Sequence, residues 1–536
     1  MHAINNNPRT EPPLTRARAR ALSLTPTGNN AGRSITTTDK KKYSLQDLPS
    51  DTLSMIFCKL KLRDIRSLQK VCTRLRDVVK QNNALAKAWY RQFSLPHQDQ
   101  LRMTITTKNE NQLRAWFESF SNDQALVTSL IDRRQESIYL PALLFFTKAE
   151  LMSKCETFEL VTKATIDKNY KFNSTTSIYE RMNISDRNRV KSAALSADGR
   201  YLVTANGDQT AKIYGRKTDG TWEKKTTIPH HGGPQSAIFS PDSQHLVTTS
   251  WSGTETIYDL GSNESWEPGT IISHSAMITS ASFSTDSRHL VTASWDKTVK
   301  IHSQKEDQSW ELTAILRRRN AVGSANFSTD GCHLIIACGD KTAQIYSKKD
   351  DGSWEKKDVI THDAAVWSAN FSADGRYVVS ASDDCKAEIY EKKSDGSWEE
   401  NTIIQHRKTV KFATFSPDSR HLVTASDDRT VKIYGRKANG LWEEKATFPH
   451  KYCALSATFS PDGRHVVTKA LYQKTAKIIG QQDDGSWLEK ASIVHDKAIT
   501  SATFSADGGD VVTSSEDGIV KITELRANNQ LFVVNK

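Results

Sequence analysis

FSPDSRHLVTASDDRTVKIYGRKANGLWEEKATFPH, residues 415–450, is a succession of short runs in which apolar and polar residues alternate. The runs are separated by Ser-Pro-Asp-Ser at 416–419, Ser-Asp-Asp-Arg at 426–429 and Ala-Asn-Gly at 438–440. A period of two puts successive side chains on opposite faces of a strand, so the stretch predicts four short strands and no helix. Its third turn carries Asn-Gly, a pair that tolerates the positive φ of a tight hairpin. The unit is one twisted, four-stranded antiparallel sheet.

That unit recurs. An apolar residue followed by Ser-x-Asp stands at Leu195, Phe239, Phe283, Phe327, Phe371, Phe415, Phe459 and Phe504, a spacing of 44 that lengthens to 45 only at the last step. Seven of the twelve tryptophans, from Trp222 to Trp487, keep the period, and Asp-Gly or Asn-Gly marks the third turn in five units. A single such sheet cannot bury both faces. Sheets arranged radially can, and closing the ring leaves only short edges, which is a β-propeller. Eight units predict eight blades, or seven if a terminal unit is vestigial, since the first has Leu195 for Phe and Asp186 where later units have His. Closure needs an outer strand for the last blade. The stretch at 174–185 and the C-terminal QLFVVNK at 530–536 are the two expected donors.

The pattern His…Phe-Ser-x-Asp-Gly…Ser-x-Asp-x-Thr-x-Lys-Ile-Tyr over roughly 175–536 resembles the WD40 family, with Tyr where the family usually has Trp. The resemblance implies that the periodic histidines, His230, His274, His362, His406, His450 and His495, belong to structural networks, with His362, Ser382, Asp384, Tyr390 and His406, Ser426, Asp428, Tyr434 as matching sets. No metal site is therefore expected.

Upstream, at 45–90, the period changes. Leu53, Ile56, Phe57 and Leu60 fall at i, i+3, i+4 and i+7, and Ile65, Leu68, Cys72 and Leu75 repeat the stripe, which predicts short amphipathic helices. The order Leu-Pro, Leu…Ile-Phe…Leu, Asp-Ile…Leu…Val-Cys…Leu, then Trp89 resembles an F-box, although Leu75 stands where that family often has Trp; an ordinary helical cap on the propeller is the plainer reading. The resemblance implies docking of Leu48, Pro49, Leu53, Ile56, Phe57, Leu60 and Ile65 onto the Skp-family adaptor of a cullin-RING ligase. The expected architecture is an all-β eight-bladed WD40 β-propeller at 175–536, preceded by a disordered basic tail at 1–42, a small α-helical F-box at 43–94 and a helical linker at 95–174.

Composition narrows the function. The net charge is +11, but residues 1–42 carry +6 of it, so the body is only mildly basic and nucleic acid is not the expected ligand. No apolar run is long enough to cross a bilayer. The seven cysteines are scattered without ligand spacing, which fits the cytoplasm or nucleus, or the cytoplasm of a host if the chain is a secreted bacterial effector. There is no P-loop, dinucleotide fingerprint, zinc-protease motif or nucleophile elbow, so neither an enzyme nor a cofactor is expected.

Because the units are near copies, the positions that differ are the ones free for ligand. Four residues before the repeated Phe stand Lys191, Gln235, Thr279, Gly323, Trp367, Lys411, Leu455 and Thr500; inside the second turn stand Gly207, Trp251, Trp295, Gly339, Asp383, Asp427, Tyr472 and Glu516. A protein or peptide substrate is expected around Lys191, Trp251, Trp295, Trp367, Lys411 and Tyr472, with Arg407 and Lys408 beside them. In LRRRNAVGSANFS, 316–328, Arg318 stands where other units have His; with Arg319 it is expected on the rim of a relaxed blade, as a secondary contact for an acidic partner. The expected function is substrate recognition for an SCF-type ubiquitin ligase. A WD40 scaffold without that role is the alternative.

Overall fold

The computed structural model describes residues 84–106, 109–118, 124, 127–128, 131, 140–154, 157–167, 189–230 and 232–527. The tail at 1–42 and the adaptor-facing candidates Leu48, Pro49, Leu53, Ile56, Phe57, Leu60 and Ile65 lie outside these residues.

Eight four-stranded antiparallel sheets form the propeller. In blade 6 the strands are Val410–Phe415, His421–Ser426, Thr430–Arg436 and Trp442–Pro449, paired in chain order. Alternation sends neighbouring side chains to different blades. Leu422 packs with Val379 and Ala381 of blade 5, whereas Val423 and Ala425 pack with Ala454 and Ala457 of blade 7. The periodic tryptophans seal these seams: Trp442 is buried edge-on against Tyr377, with ring centroids 5.7 Å apart. Turn chemistry behaves as expected. The glycines of the five Asp-Gly or Asn-Gly pairs have φ between 81° and 89°, and in blades 2 and 3 Glu264 and Gln308 take the same left-handed role at 61° and 68°.

Ring closure differs from both expectations. The outer strand of blade 8 is Phe158–Asp167, which pairs antiparallel with Ile519–Ala527. It lies inside the stretch expected to be a helical linker, and neither 174–185 nor 530–536 supplies it. Within the expected helical linker the last helix ends at Lys154, and the strand beyond carries Val161, Thr162, Thr165 and Ile166, whose branched Cβ favours a pleated strand. Lys163 then anchors it, 3.0 Å from both Asp510 and Glu524.

Among the described residues, four helices precede this strand: α1 (Ala84–Tyr90), α2 (Leu95–Thr106), α3 (Glu110–Glu118) and α4 (Leu140–Lys154). They pack around Trp89, Phe93, Trp116 and Phe145. Polar contacts fasten them to the first-to-second-strand turns of blades 7 and 8. Lys148 Nζ donates to the Asp507 carbonyl at 2.7 Å, Arg464 donates to the Ala149 carbonyl at 3.2 Å and pairs with Glu150 at 3.3 Å, and His97 Nε2 lies 2.9 Å from the Pro461 carbonyl. The buried Lys490 ammonium, from the outer strand of blade 7, donates to the Met152 carbonyl.

One core position breaks the apolar rule. Glu255 is 1% exposed, and neither carboxylate oxygen has a hydrogen-bond partner among the described residues; sister blades carry Ala or Val there. Burial pushes its carboxyl well above the usual range. Folding therefore favours the protonated acid, and the burden on the folded state grows as pH rises above the ordinary carboxyl value of 4.5. Glu255→Gln should stabilise the protein at pH 7 by about 1–3 kcal/mol, the cost of keeping a buried carboxyl neutral at a pH where the unfolded chain ionises it, which the amide does not bear. The gain should shrink toward zero as thermal melts are repeated below that value; a gain independent of pH would show that Glu255 is not the source.

Candidate functional site

Alternate turns of an antiparallel meander lie at one end. The blade-to-blade connections and the second-to-third-strand turns therefore share the end of the ring opposite the helices. At this end each blade carries a β-bulge between its first two strands. In blade 6 Val410 pairs with Ser426 and Phe412 with Ala425, which leaves Lys411 unpaired. The same slip isolates Lys191, Gln235, Thr279, Gly323, Trp367, Leu455 and Thr500. A bulge re-aims its extra side chain out of the sheet's alternation. The variable position of the repeat is thus a residue that the ladder between the first two strands does not claim.

Three clusters stand here. In the first, Trp251 and Trp295 are 51% and 46% exposed and meet edge to face, 6.5 Å apart. The turn that carries Trp251 requires Gly253: its φ is +78°, and a Cβ on it would lie 2.5 Å from the His274 carbonyl oxygen. In the second, Lys411 Nζ lies 5.4 Å from the Trp367 ring centre, 3.5 Å from Asp427 and 3.7 Å from Asp383. Gly323 next door is obligatory, because a Cβ there would sit 2.7 Å from the Trp367 carbonyl oxygen. In the third, Tyr452 and Tyr472 meet at 6.5 Å and 90°, with Lys451 Nζ 5.4 Å from the Tyr452 ring centre.

Lys191 stands apart from all three. Burial first, and then the Arg189 guanidinium, hold its ammonium below the usual range, while Arg189 pairs with Glu516 at 3.8 Å. Arg407 and Lys408 are exposed on the connection into blade 6.

The register of Tyr472 needs correction. The Leu471 N–H donates to the Cys453 carbonyl, as Asp427 does to Thr409 and Trp295 to Met277. Leu471 is therefore the ring residue, and Tyr472 is the extra residue of the 45-residue unit, held at φ +55° and 68% exposed. A bulky side chain in left-handed backbone is an outlier of the kind that gathers at functional sites. The lengthened spacing signals this cluster in the sequence; Tyr452 and Leu471 carry no such signal.

Arg318 is also corrected. Its side chain is 8% exposed, so it is not a rim contact. It donates to Asp340 at 2.9 Å, to the Thr342 hydroxyl at 3.2 Å and to the Gln344 side-chain oxygen. The blade is not relaxed either: Cys338 takes the place of Ser, its thiol donating to the Asn320 and Ala321 carbonyls. A guanidinium carries enough donors to rebuild a network that imidazole serves elsewhere. Arg319 remains exposed.

The histidine networks have a different membership from the one expected. His406 Nδ1 pairs with Asp428 at 2.9 Å, but the hydroxyl on Nε2 is that of Thr424, not Ser426; in blade 5 it is Ser380, not Ser382. Ser426 and Ser382 donate to the Lys408 and Ala364 carbonyls, and the hydroxyls of Tyr434 and Tyr390 turn to Glu444 and Glu388. Burial opposes the charge on Asp428, but the Thr430 hydroxyl, the Arg407 N–H and His406 outweigh it and hold the carboxyl at about 2. His362, Asp384 and Glu388 bring ligand-type atoms within 4.8 Å of one another. Asp384 and Ser380 occupy the two ring nitrogens at 2.8 and 2.7 Å, so this is the repeat's hydrogen-bond network with one more carboxylate beside it.

The described residues thus form an eight-bladed propeller with helices fastened at one end and exposed aromatics at the other. The family model for "WD domain, G-beta repeat" matches residues 182–215, 222–254, 266–303, 354–391, 398–435 and 489–523, and that for "F-box domain" matches 45–86. The chain is an F-box/WD40 protein. Among solved structures it is similar to Sqt1 of Saccharomyces cerevisiae, at 14% identity and a TM-score of 0.55 over 63% of this chain and 96% of that one. Sqt1 of Chaetomium thermophilum is similar at 12% identity and a TM-score of 0.55, over 63% and 97%. These likenesses carry the fold alone. No curated protein sequence matches the chain.

Proposed function

We propose that this chain is the substrate-receptor subunit of an SCF-type cullin-RING ubiquitin ligase, its F-box holding the Skp-family adaptor and its open propeller end holding a protein substrate. One observation carries the reading: the helices that continue from the F-box match are fastened to one end of the ring, and the exposed Trp251, Trp295, Trp367 and Tyr472 stand at the other. Adaptor and substrate are thereby separated by a stiff body. The role is non-catalytic: the chain positions substrate for an enzyme held elsewhere in the assembly. Four described cysteines, Cys332, Cys338, Cys385 and Cys453, are unpaired, which suits the cytoplasm or nucleus, or a host's cytoplasm for a delivered effector.

The test is co-purification of the full chain with the adaptor. Leu53→Ala combined with Phe57→Ala should weaken capture about tenfold or more, since truncating buried interface anchors costs upward of about 1 kcal/mol each. Failure of the unmutated chain to capture adaptor would overturn the ligase reading and leave a WD40 scaffold.

A further inference from the structure

The open end is polarised. Beside Trp367 carboxylates outnumber cations, because Lys411 lies between Asp383 and Asp427. Over the turns and connections of blades 6 and 7 as a whole the balance reverses. Arg407, Lys408, Arg429, Lys451 and Lys474 are exposed on four successive turns, and none has a carboxylate partner within ion-pair distance among the described residues. The carboxylates of the same turns are already engaged: Asp427 by Lys411, and Asp428 by His406, the Arg407 N–H and the Thr430 hydroxyl. Within this arc stand Tyr452 and the strained Tyr472, beside the exposed Leu471.

We infer that the arc of blades 6 and 7 is a docking surface for an acidic, unphosphorylated protein segment carrying apolar or aromatic residues among its carboxylates. The inference rests on the reading of this end as the substrate face and specifies what that face selects. Charge complementarity chooses the occupant. The basic tail at 1–42 carries +6 and does not complement the arc. The cations are spread over separate turns and share no common partner, an arrangement that suits a run of carboxylates. A single phosphate asks for converging donors. The tyrosine pair and Leu471 give the apolar residues of the same segment a rigid floor.

The test uses the full chain and three fluorescein-labelled probes: a peptide alternating glutamate and leucine, its glutamine–leucine counterpart, and an oligothymidylate. At low salt the glutamate peptide should bind about tenfold tighter than the glutamine peptide, the sum of several individually weak exposed pairs, and the preference should fade as salt rises. The triple variants Arg407→Glu, Lys451→Glu, Lys474→Glu and Arg407→Gln, Lys451→Gln, Lys474→Gln should both abolish it while melting like the parent; Lys349→Gln, on an exposed turn at the opposite end of the ring, should leave it intact. Equal binding of the two peptides would overturn the inference. So would tighter binding of oligothymidylate with the same dependence on the three cations, which would make the arc a nucleic-acid surface. Adaptor capture is read in parallel: its loss with the acidic preference intact sinks the ligase reading alone, and its retention with the preference absent sinks the arc alone.

Discussion

A chain that starts at residue 175 will not melt as one cooperative propeller, whereas a chain that starts at residue 140 will. The shorter chain lacks Phe158–Asp167, the strand that closes blade 8. Its loss exposes the ladder groups of Ile519–Ala527 as an unpaired edge, the feature that invites association between chains. It also strips Lys163 from Asp510 and Glu524, whose side chains are only 13% and 6% exposed. Breaking a buried pair costs about 3–5 kcal/mol, and with the strand's packing the loss should reach the order of 5 kcal/mol or more, comparable to the whole stability of a small domain. Calorimetry and light scattering of the two chains check this, and a peptide spanning 157–167 should partly restore the melt. Identical melts would mean the ring closes without the strand.

Arg318→Ala should destabilise the protein by about 3–5 kcal/mol, while Arg319→Ala, one residue on, should change it by less than about 0.5 kcal/mol. Removing the guanidinium leaves Asp340, itself 13% exposed, without its cation, and takes a donor from Thr342 and Gln344. If the triplet were a surface contact for a partner, the two substitutions would be equally mild in the isolated protein and would differ only in binding. Denaturant melts of both variants decide the matter, and Arg318→Ala combined with Asp340→Ala should recover part of the loss, because no unpaired charge then remains buried.

Much of the candidate site was legible in advance because the repeats serve as one another's controls. Trp251, Trp295, Trp367 and Lys411 departed from their sisters at positions the scaffold does not constrain: Trp367 and Lys411 are bulge residues, and Trp251 and Trp295 stand in the turn after the second strand. The same logic misread Arg318, which departs from its sisters at a position the scaffold does constrain. Gln344 and Cys338 changed with it and rebuilt the network. Substitution alone does not separate a freed position from a compensated one; side-chain contacts do. Tyr472 was misplaced by one residue for a related reason: spacing reports that a residue was inserted, and only the Leu471–Cys453 hydrogen bond reports which one.

By itself the sequence determined the eight-fold repeat, the strands and the turns, since alternation and Asp-Gly or Asn-Gly chemistry act between neighbours in the chain and need no partner at a distance. Tertiary structure decided which strand closes the ring, which charges cancel and which aromatics touch. Phe158 meets Ala527, Lys411 meets Asp383, and Trp251 meets Trp295 because a closed ring sets the angle between blades. Those contacts depend on packing between segments far apart in the chain, where local periodicity carries no information.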